Sequence, residues 1–238
     1  MVKSKWLNGA LIAVLPIVYV ITYLIVGGKR GPYYWTPNQD PDYAYLANSL
    51  VLALFKVPQH TDHPGTPLQV LGAIVLWVSY GVQSLFNPAL QKNLADEVLT
   101  NPELYLNLFN GLLLFVTACS LIAVGWVALR LSNSWLLALI LQISPLLMIR
   151  TFLGEEPSRV APDVLVVCIS QLLVLVLIRY LYLENSERSR NFIISLGAVF
   201  GVGMATKVTF LPMIVFFLLP QGWRRKALTL GAGILAFV

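Results

Sequence analysis

Apolar positions run in long blocks along the chain, separated by short polar intervals. The blocks at about 6–26, 104–130, 135–150 and 163–183 are dominated by Leu, Ile, Val and Ala. About 20 such residues, rising about 1.5 Å each in a helix, cross the hydrocarbon of a bilayer. A further apolar stretch from Phe192 is interrupted at Thr206-Lys207. An ionisable residue at membrane depth is costly and marks a cavity or a bend. The stretch therefore divides into spans at 192–207 and 208–222, with Lys207 at the turn between them. A last apolar block begins at Ala227 and stops at Val238 without a polar tail. It reads as a seventh span cut short, and we expect the chain to be the N-terminal part of a longer protein. The pattern predicts an all-α, polytopic transmembrane bundle forming a single membrane domain over 1–238.

The interval 27–103 breaks this rhythm. Tyr33, Tyr34 and Trp35 form an aromatic cluster suited to the headgroup level. Asp40-Pro41 is a helix-start signal, a carboxylate at the N-cap followed by a proline pre-set for the first helical position. It predicts a helix over 41–56 with Tyr43, Leu46, Ala47, Leu50, Ala53 and Leu54 on one face, while Asn48 and Ser49 interrupt the rest. Such a helix is too short and too polar at its start to span, so it belongs on the membrane surface. Thr66-Pro67 repeats the start signal and opens a run over 67–86, about long enough to cross. Its second half, with Ser79, Tyr80, Gly81, Gln83 and Ser84, is polar for a span.

Charge settles the parity. If 67–86 crosses, the basic loops at 184–190 and 223–226 face outward. If it does not, Lys3, Lys5, Arg130, Arg179, Arg188, Arg190, Arg224, Arg225 and Lys226 are all cytoplasmic, as the excess of basic residues on that side requires. Of the 11 acidic residues, all but Glu184 and Glu187 then lie outside. The run 67–86 is accordingly read as a second surface helix, in an outer loop 27–103 whose last part is an acidic linker.

Composition agrees with a multi-pass membrane protein: 58% of residues are apolar and 11% charged, against about 25% charged in a soluble domain. The net charge of +5 is spread between apolar segments instead of forming one patch, which orients the chain in a bilayer and argues against a nucleic-acid partner. Cys119 and Cys168 fall inside predicted spans and read as core residues. The first block is too long for a signal-peptide core and has no small-residue cleavage site, so it is a retained anchor. With no transit peptide, the reading favours a bacterial plasma membrane with the N-terminus in the cytoplasm.

On that topology two acidic clusters and several cations face the same side. They are Asp40 and Asp42 in the first loop, Glu155, Glu156 and Asp163 in the second, and Arg150, Arg159 and Lys207 nearby. A fixed carboxylate can orient and deprotonate a hydroxyl, and cations at the same level can hold a departing phosphate. A lipid-phosphate donor suits this boundary, its tail in the bilayer and its headgroup in the loop. Asp40 and Asp163 also read as plain helix caps, Glu155-Glu156 as a solvated pair, and Lys207 as a lysine snorkelling to the interface. His60, Asp62 and His63 could ligate a metal, yet their spacing before Pro64-Gly65 fits a turn at least as well and no fourth ligand is evident. The sequence specifies no cofactor and leaves a divalent metal open.

In order and spacing, these motifs resemble the N-terminal half of the GT-C superfamily of polytopic glycosyltransferases, in the branch of the protein O-mannosyltransferases and lipid A aminoarabinose transferases. The resemblance rests on Asp40-Pro41-Asp42-Tyr43 with the Leu-Ala-Asn-Ser-Leu helix after it, and on His63-Pro64-Gly65. It continues through Ser158-Arg159 with Pro162-Asp163, and through Gly201-Val202-Gly203-Met204-Ala205-Thr206-Lys207. It implies a first outer loop with two surface helices and inverting transfer of a sugar from a polyprenyl-phosphate or polyprenyl-diphosphate donor to a protein, lipid or glycan acceptor on the non-cytoplasmic face. By motif position it implies Asp40 as the catalytic carboxylate with Asp42 as its rival, Asp163 as the second-loop acidic residue, and Lys207 as the Thr-Lys of the fifth span. Proline inside the acidic pair leaves the register open by two residues. The competing class is a non-catalytic polytopic protein, a carrier or lipid flippase gated by the outer charges, or an assembly subunit.

Overall fold

The structure is a computed structural model that describes residues 2–35, 42–58, 65–86, 93–143, 158–182, 190–219 and 223–237, with backbone only over 2–8 and at 223. All secondary structure among the described residues is helical. The elements are α1 (Val2–Arg30), a 3-10 turn (Tyr33–Trp35), α2 (Asp42–Ala53), α3 (Thr66–Phe86), α4 (Leu94–Thr100), α5 (Pro102–Ser132), α6 (Trp135–Ile143), α7 (Pro162–Tyr182), α8 (Arg190–Thr206), a 3-10 helix (Val208–Leu218) and α9 (Trp223–Phe237). Among the described residues, four helices are long and apolar enough to cross a membrane: α1 from Gly9, α3, α5 and α7.

The centre of the bundle is α5, which packs on α1, α6 and α7, while α7 carries α8, and α8 carries α9 and the 3-10 helix. A buried amide fixes the meeting of α1, α5 and α6. Pro16 lies inside α1 and has no N–H to give to the carbonyl of Ile12, four residues back. The Gln142 side chain of α6 supplies the missing donor, its Nε2 reaching Ile12 O at 3.1 Å and Leu121 O at 2.8 Å. Gln171 of α7 in turn donates from Nε2 to Gln142 O at 3.1 Å. Within an apolar interior such groups must be satisfied by neighbouring helices.

A second core closes one end of the bundle. It joins Tyr45, Leu46 and Leu50 of α2, Leu68 and Leu76 of α3, Tyr105, Phe109 and Leu113 of α5, and Val160 and Val164 at the start of α7. The buried face of α2 is turned from the expected one: Asn48 and Ser49 are buried, while Ala47 is exposed and Leu54 lies in the turn after the helix. The cause is the crossing with α3, where Gly72 meets Ser49 and the Phe109 ring, so a small residue must lie inward. The helix expected over 41–56 stops at Ala53 in a Schellman turn. Lys56 N donates to Val51 O at 3.0 Å and Phe55 N to Leu52 O at 2.9 Å, with Phe55 at φ 57° where glycine is usual.

Two further departures are local. The acidic linker contains α4, whose N-cap Asn93 accepts from Asp96 N at 2.9 Å. The span expected over 208–222 is wound as a 3-10 helix over Val208–Leu218 with Pro212 inside it. The break expected at Lys207 is present: the residue is extended (φ −159°, ψ 132°), and the 3-10 helix folds back so that Phe210 and Phe217 both contact Phe200 of α8.

Candidate functional site

The polar residues of the closed end gather at the lead-in to α7. Asp42 opens α2, and its carboxylate is wholly buried. One oxygen, Oδ1, accepts the Val160 N–H at 2.5 Å, and the other, Oδ2, accepts Arg159 Nε at 3.0 Å. Burial pushes its pKa above the usual carboxylate value, while Arg159, the Val160 N–H and Arg30 pull the other way without overcoming it. Four residues beyond Arg159, in the first turn of α7, Asp163 Oδ1 accepts Lys207 Nζ at 2.6 Å. This pair is more open, with side chains 33% and 24% exposed. The backbone ties a third element to the same place, because Gly65 N, just before α3, donates to Thr206 O at 3.1 Å.

The end of α1 supplies the rest. The Arg30 guanidinium stacks over the Tyr33 ring, 3.4 Å from its centroid, with Nε and Nη1 buried and without a hydrogen-bond acceptor among the described residues. Tyr33 is buried, accepts Asn110 Nδ2 at its hydroxyl (3.0 Å), and has its pKa pushed up to about 12 by burial, with Arg30 opposing. Glu103, in the first turn of α5, accepts the Tyr33 N–H on Oε2 at 3.1 Å and the Tyr43 hydroxyl on Oε1 at 2.6 Å.

No family model, curated protein or solved structure matches this chain.

The site must therefore be read from its own geometry. Of the residues singled out in the sequence, Asp42, Arg159, Asp163 and Lys207 are described, and they form two cation–carboxylate pairs whose members on the α7 side, Arg159 and Asp163, are four residues apart. Asp40, Arg150, Glu155, Glu156, His60, Asp62 and His63 lie outside the described residues. Among the described residues no three His, Cys, Asp or Glu side chains converge. Sequence reasoning missed Arg30, Glu103 and the polar role of Tyr43. A carboxylate in a helix's first turn is the one local signal Glu103 offers, and it does not reveal partners 60 and 70 residues away. The ensemble sets two cations close to the start of α7, each held by a carboxylate. It can also keep a buried carboxylate more basic than usual.

Proposed function

We propose that the chain belongs to a membrane glycosyltransferase that moves a sugar from a polyprenyl-phosphate-type lipid to an acceptor hydroxyl on the non-cytoplasmic face. The observation that carries this reading is the pairing of Asp42 with Arg159 and of Asp163 with Lys207 at the start of one helix, α7. Both oxygens of Asp42 are engaged and enclosed, so its part is to aim Arg159, and Asp40, two residues earlier, takes the role of base. The acceptor oxygen attacks the anomeric carbon, its proton passes to Asp40, and the bond from that carbon to the phosphate oxygen breaks on the opposite face. Arg159 and Lys207 then stabilise the departing lipid phosphate.

The reading places α2 and α3 on the outer membrane surface. Two features support it. On α3, Val70, Ile74, Trp77, Val78, Val82 and Leu85 are exposed along one uncharged face, a stripe that an acyl layer can cover. The helix also runs toward the start of α5 and not down its length: Gly72 meets Phe109, while Gln83, about 16 Å further along α3, accepts from Tyr105, one turn nearer that start. The deciding experiment is transfer of a labelled sugar from a polyprenyl-phosphate donor by the Asp40→Asn variant in membranes. Transfer should vanish while expression and thermal stability hold, and near-normal turnover in this variant and in Asp42→Asn would overturn the mechanism. One observation favours a second reading: both cations already carry a carboxylate partner, as the latches of a lipid carrier would. Flipping of the donor across liposomes, with no transfer to any acceptor, would select it.

A further inference from the structure

The turn that ends α2 presents its side chains outward. Phe55 occupies the left-handed position of that turn, at φ 57°, where a Cβ strains the backbone and glycine is usual. Its ring is 91% exposed, more than any other large apolar side chain among the described residues, and Val57 is 86% exposed. A bulky residue held in a strained conformation while adding little to the packing of the fold points to a use outside the fold. The ring contact it does make is with Trp77 of α3, centroids 6.5 Å apart. Trp77 Nε1 donates to Ala53 O at 2.9 Å, which fixes the indole beside the turn. The exposed face of α3 continues on either side of Trp77 through Val70, Ile74, Val78, Val82 and Leu85. Over 42–58 and 65–86 the only charged residues are Asp42, which is buried, and Lys56, which stands exposed between Phe55 and Val57.

We propose that the Phe55-Lys56-Val57 turn is a bilayer anchor: Phe55, Val57 and the apolar face of α3 enter the edge of the acyl layer, Lys56 meets lipid phosphates, and α3 lies along the membrane plane. The anchor rests on the surface placement of α2 and α3 in the reading above and is independent of sugar transfer. Trp77 is the twelfth of the 21 residues of α3. A crossing α3 would therefore carry the adjoining turn about 16 Å in from the Thr66 end, halfway through a hydrocarbon layer about 30 Å thick. Lys56 would be too deep there to reach a headgroup, and the irregular backbone of the turn would face lipid, where such backbone does not occur. At the boundary with water both are solvated, and a tryptophan sits at its preferred level. Lipid lies beside this face, because α5, on which α2 and α3 pack, is itself long and apolar enough to cross a membrane. A lone exposed cation on an otherwise uncharged surface complements anionic headgroups.

The test is spin-label depth measurement on the full chain in nanodiscs containing phosphatidylglycerol, with Cys119 and Cys168 replaced by serine and Val57→Cys, Val70→Cys, Val78→Cys and Val82→Cys labelled one at a time. Each label should contact oxygen and be shielded from a water-soluble nickel complex, at a common depth of about 5–10 Å below the phosphates. A crossing α3 would instead separate Val70 from Val82 by about 18 Å in depth. That separation, labels open to the nickel complex, or labels closed to both reagents as under a protein partner, overturns the anchor. Phe55→Gly supplies the residue that the turn itself prefers, so the fold should hold while the ratio of lipid-inserted to water-exposed label at Val57 falls about tenfold. Lys56→Glu should lower the same ratio by about fivefold or more. An unchanged ratio in either variant also overturns the proposal. If the depths and both ratios come out as expected but the wild type transfers no sugar, the anchor stands and the transferase reading falls.

Discussion

Two aspartates, each in the first turn of a helix and each holding one cation, are predicted to differ widely in what they contribute. Asp42 is fully enclosed with Arg159 beside it at 14% exposure, whereas Asp163 and Lys207 remain partly open to solvent. Removing one partner of a buried pair leaves an uncompensated charge, so Asp42→Ala should destabilise the protein by about 3–5 kcal/mol. Asp163→Ala should cost about 1 kcal/mol or less, because solvent screens an exposed pair. Thermal or denaturant unfolding in detergent separates the two. A pH series adds a sign. The Asp42 pKa is raised above its ordinary value of 3.8, chiefly by burial, so its contribution is fully present below that value and is lost as pH rises through the folded-state pKa. Asp42→Asn has no such loss, and its melting temperature relative to wild type should therefore rise with pH over that window and then level off. Both members of the Asp42 pair are legible in the sequence as candidate residues. Their partnership is not, since it joins positions 117 residues apart and depends on how deeply the start of α2 is enclosed.

At the scale of helices, the proline in α1 and the glutamine in α6 form one device. Gln142→Leu should cost about 1–2 kcal/mol, since the Ile12 carbonyl loses its donor in an apolar interior. Pro16→Ala returns an amide to that carbonyl. In its background the cost of Gln142→Leu should shrink by about 0.5–1 kcal/mol, a coupling that a double-mutant cycle reads directly. Additive costs would show that the two residues act independently. Long apolar periodicity makes α1, α5 and α7 legible to within a few residues, and the lone charge of Lys207 correctly marks a break. What escapes is set by single contacts. Ser49 turns inward only because Gly72 and Phe109 lie opposite, and α4 is seven residues whose one clear signal is the Asn93 cap. Pro212 hints at irregular winding in the 3-10 helix, yet nothing in the sequence specifies that the tighter winding runs through Leu218.

For the whole molecule, everything proposed about the site depends on which side of the membrane the closed end faces. Single cysteines at Asn93 and Ser189, in a background with Cys119 and Cys168 replaced by serine, provide the check. A membrane-impermeant maleimide applied to intact cells should label the first and spare the second. Labelling at Asn93 only after permeabilisation would mean that α3 crosses the bilayer, and the acidic residues of the two loops would then no longer face one compartment. The expected side rests on the placement of basic residues, while the structure brings together Asp42 with Arg159 and Asp163 with Lys207 at the start of α7.

The bond between Asp42 and Arg159 also sets an order of events during synthesis. At about 5–20 residues per second, a ribosome that has delivered Asp42 needs roughly 6–23 s to deliver its partner, 117 residues later. Throughout that time the carboxylate lacks both of its hydrogen-bond donors, Arg159 and the Val160 N–H, and the start of α2 cannot be sealed. The nascent first loop must stay open to water until the lead-in to α7 arrives, and a stalled or shortened chain would display that unfinished surface to the quality-control machinery of the cell.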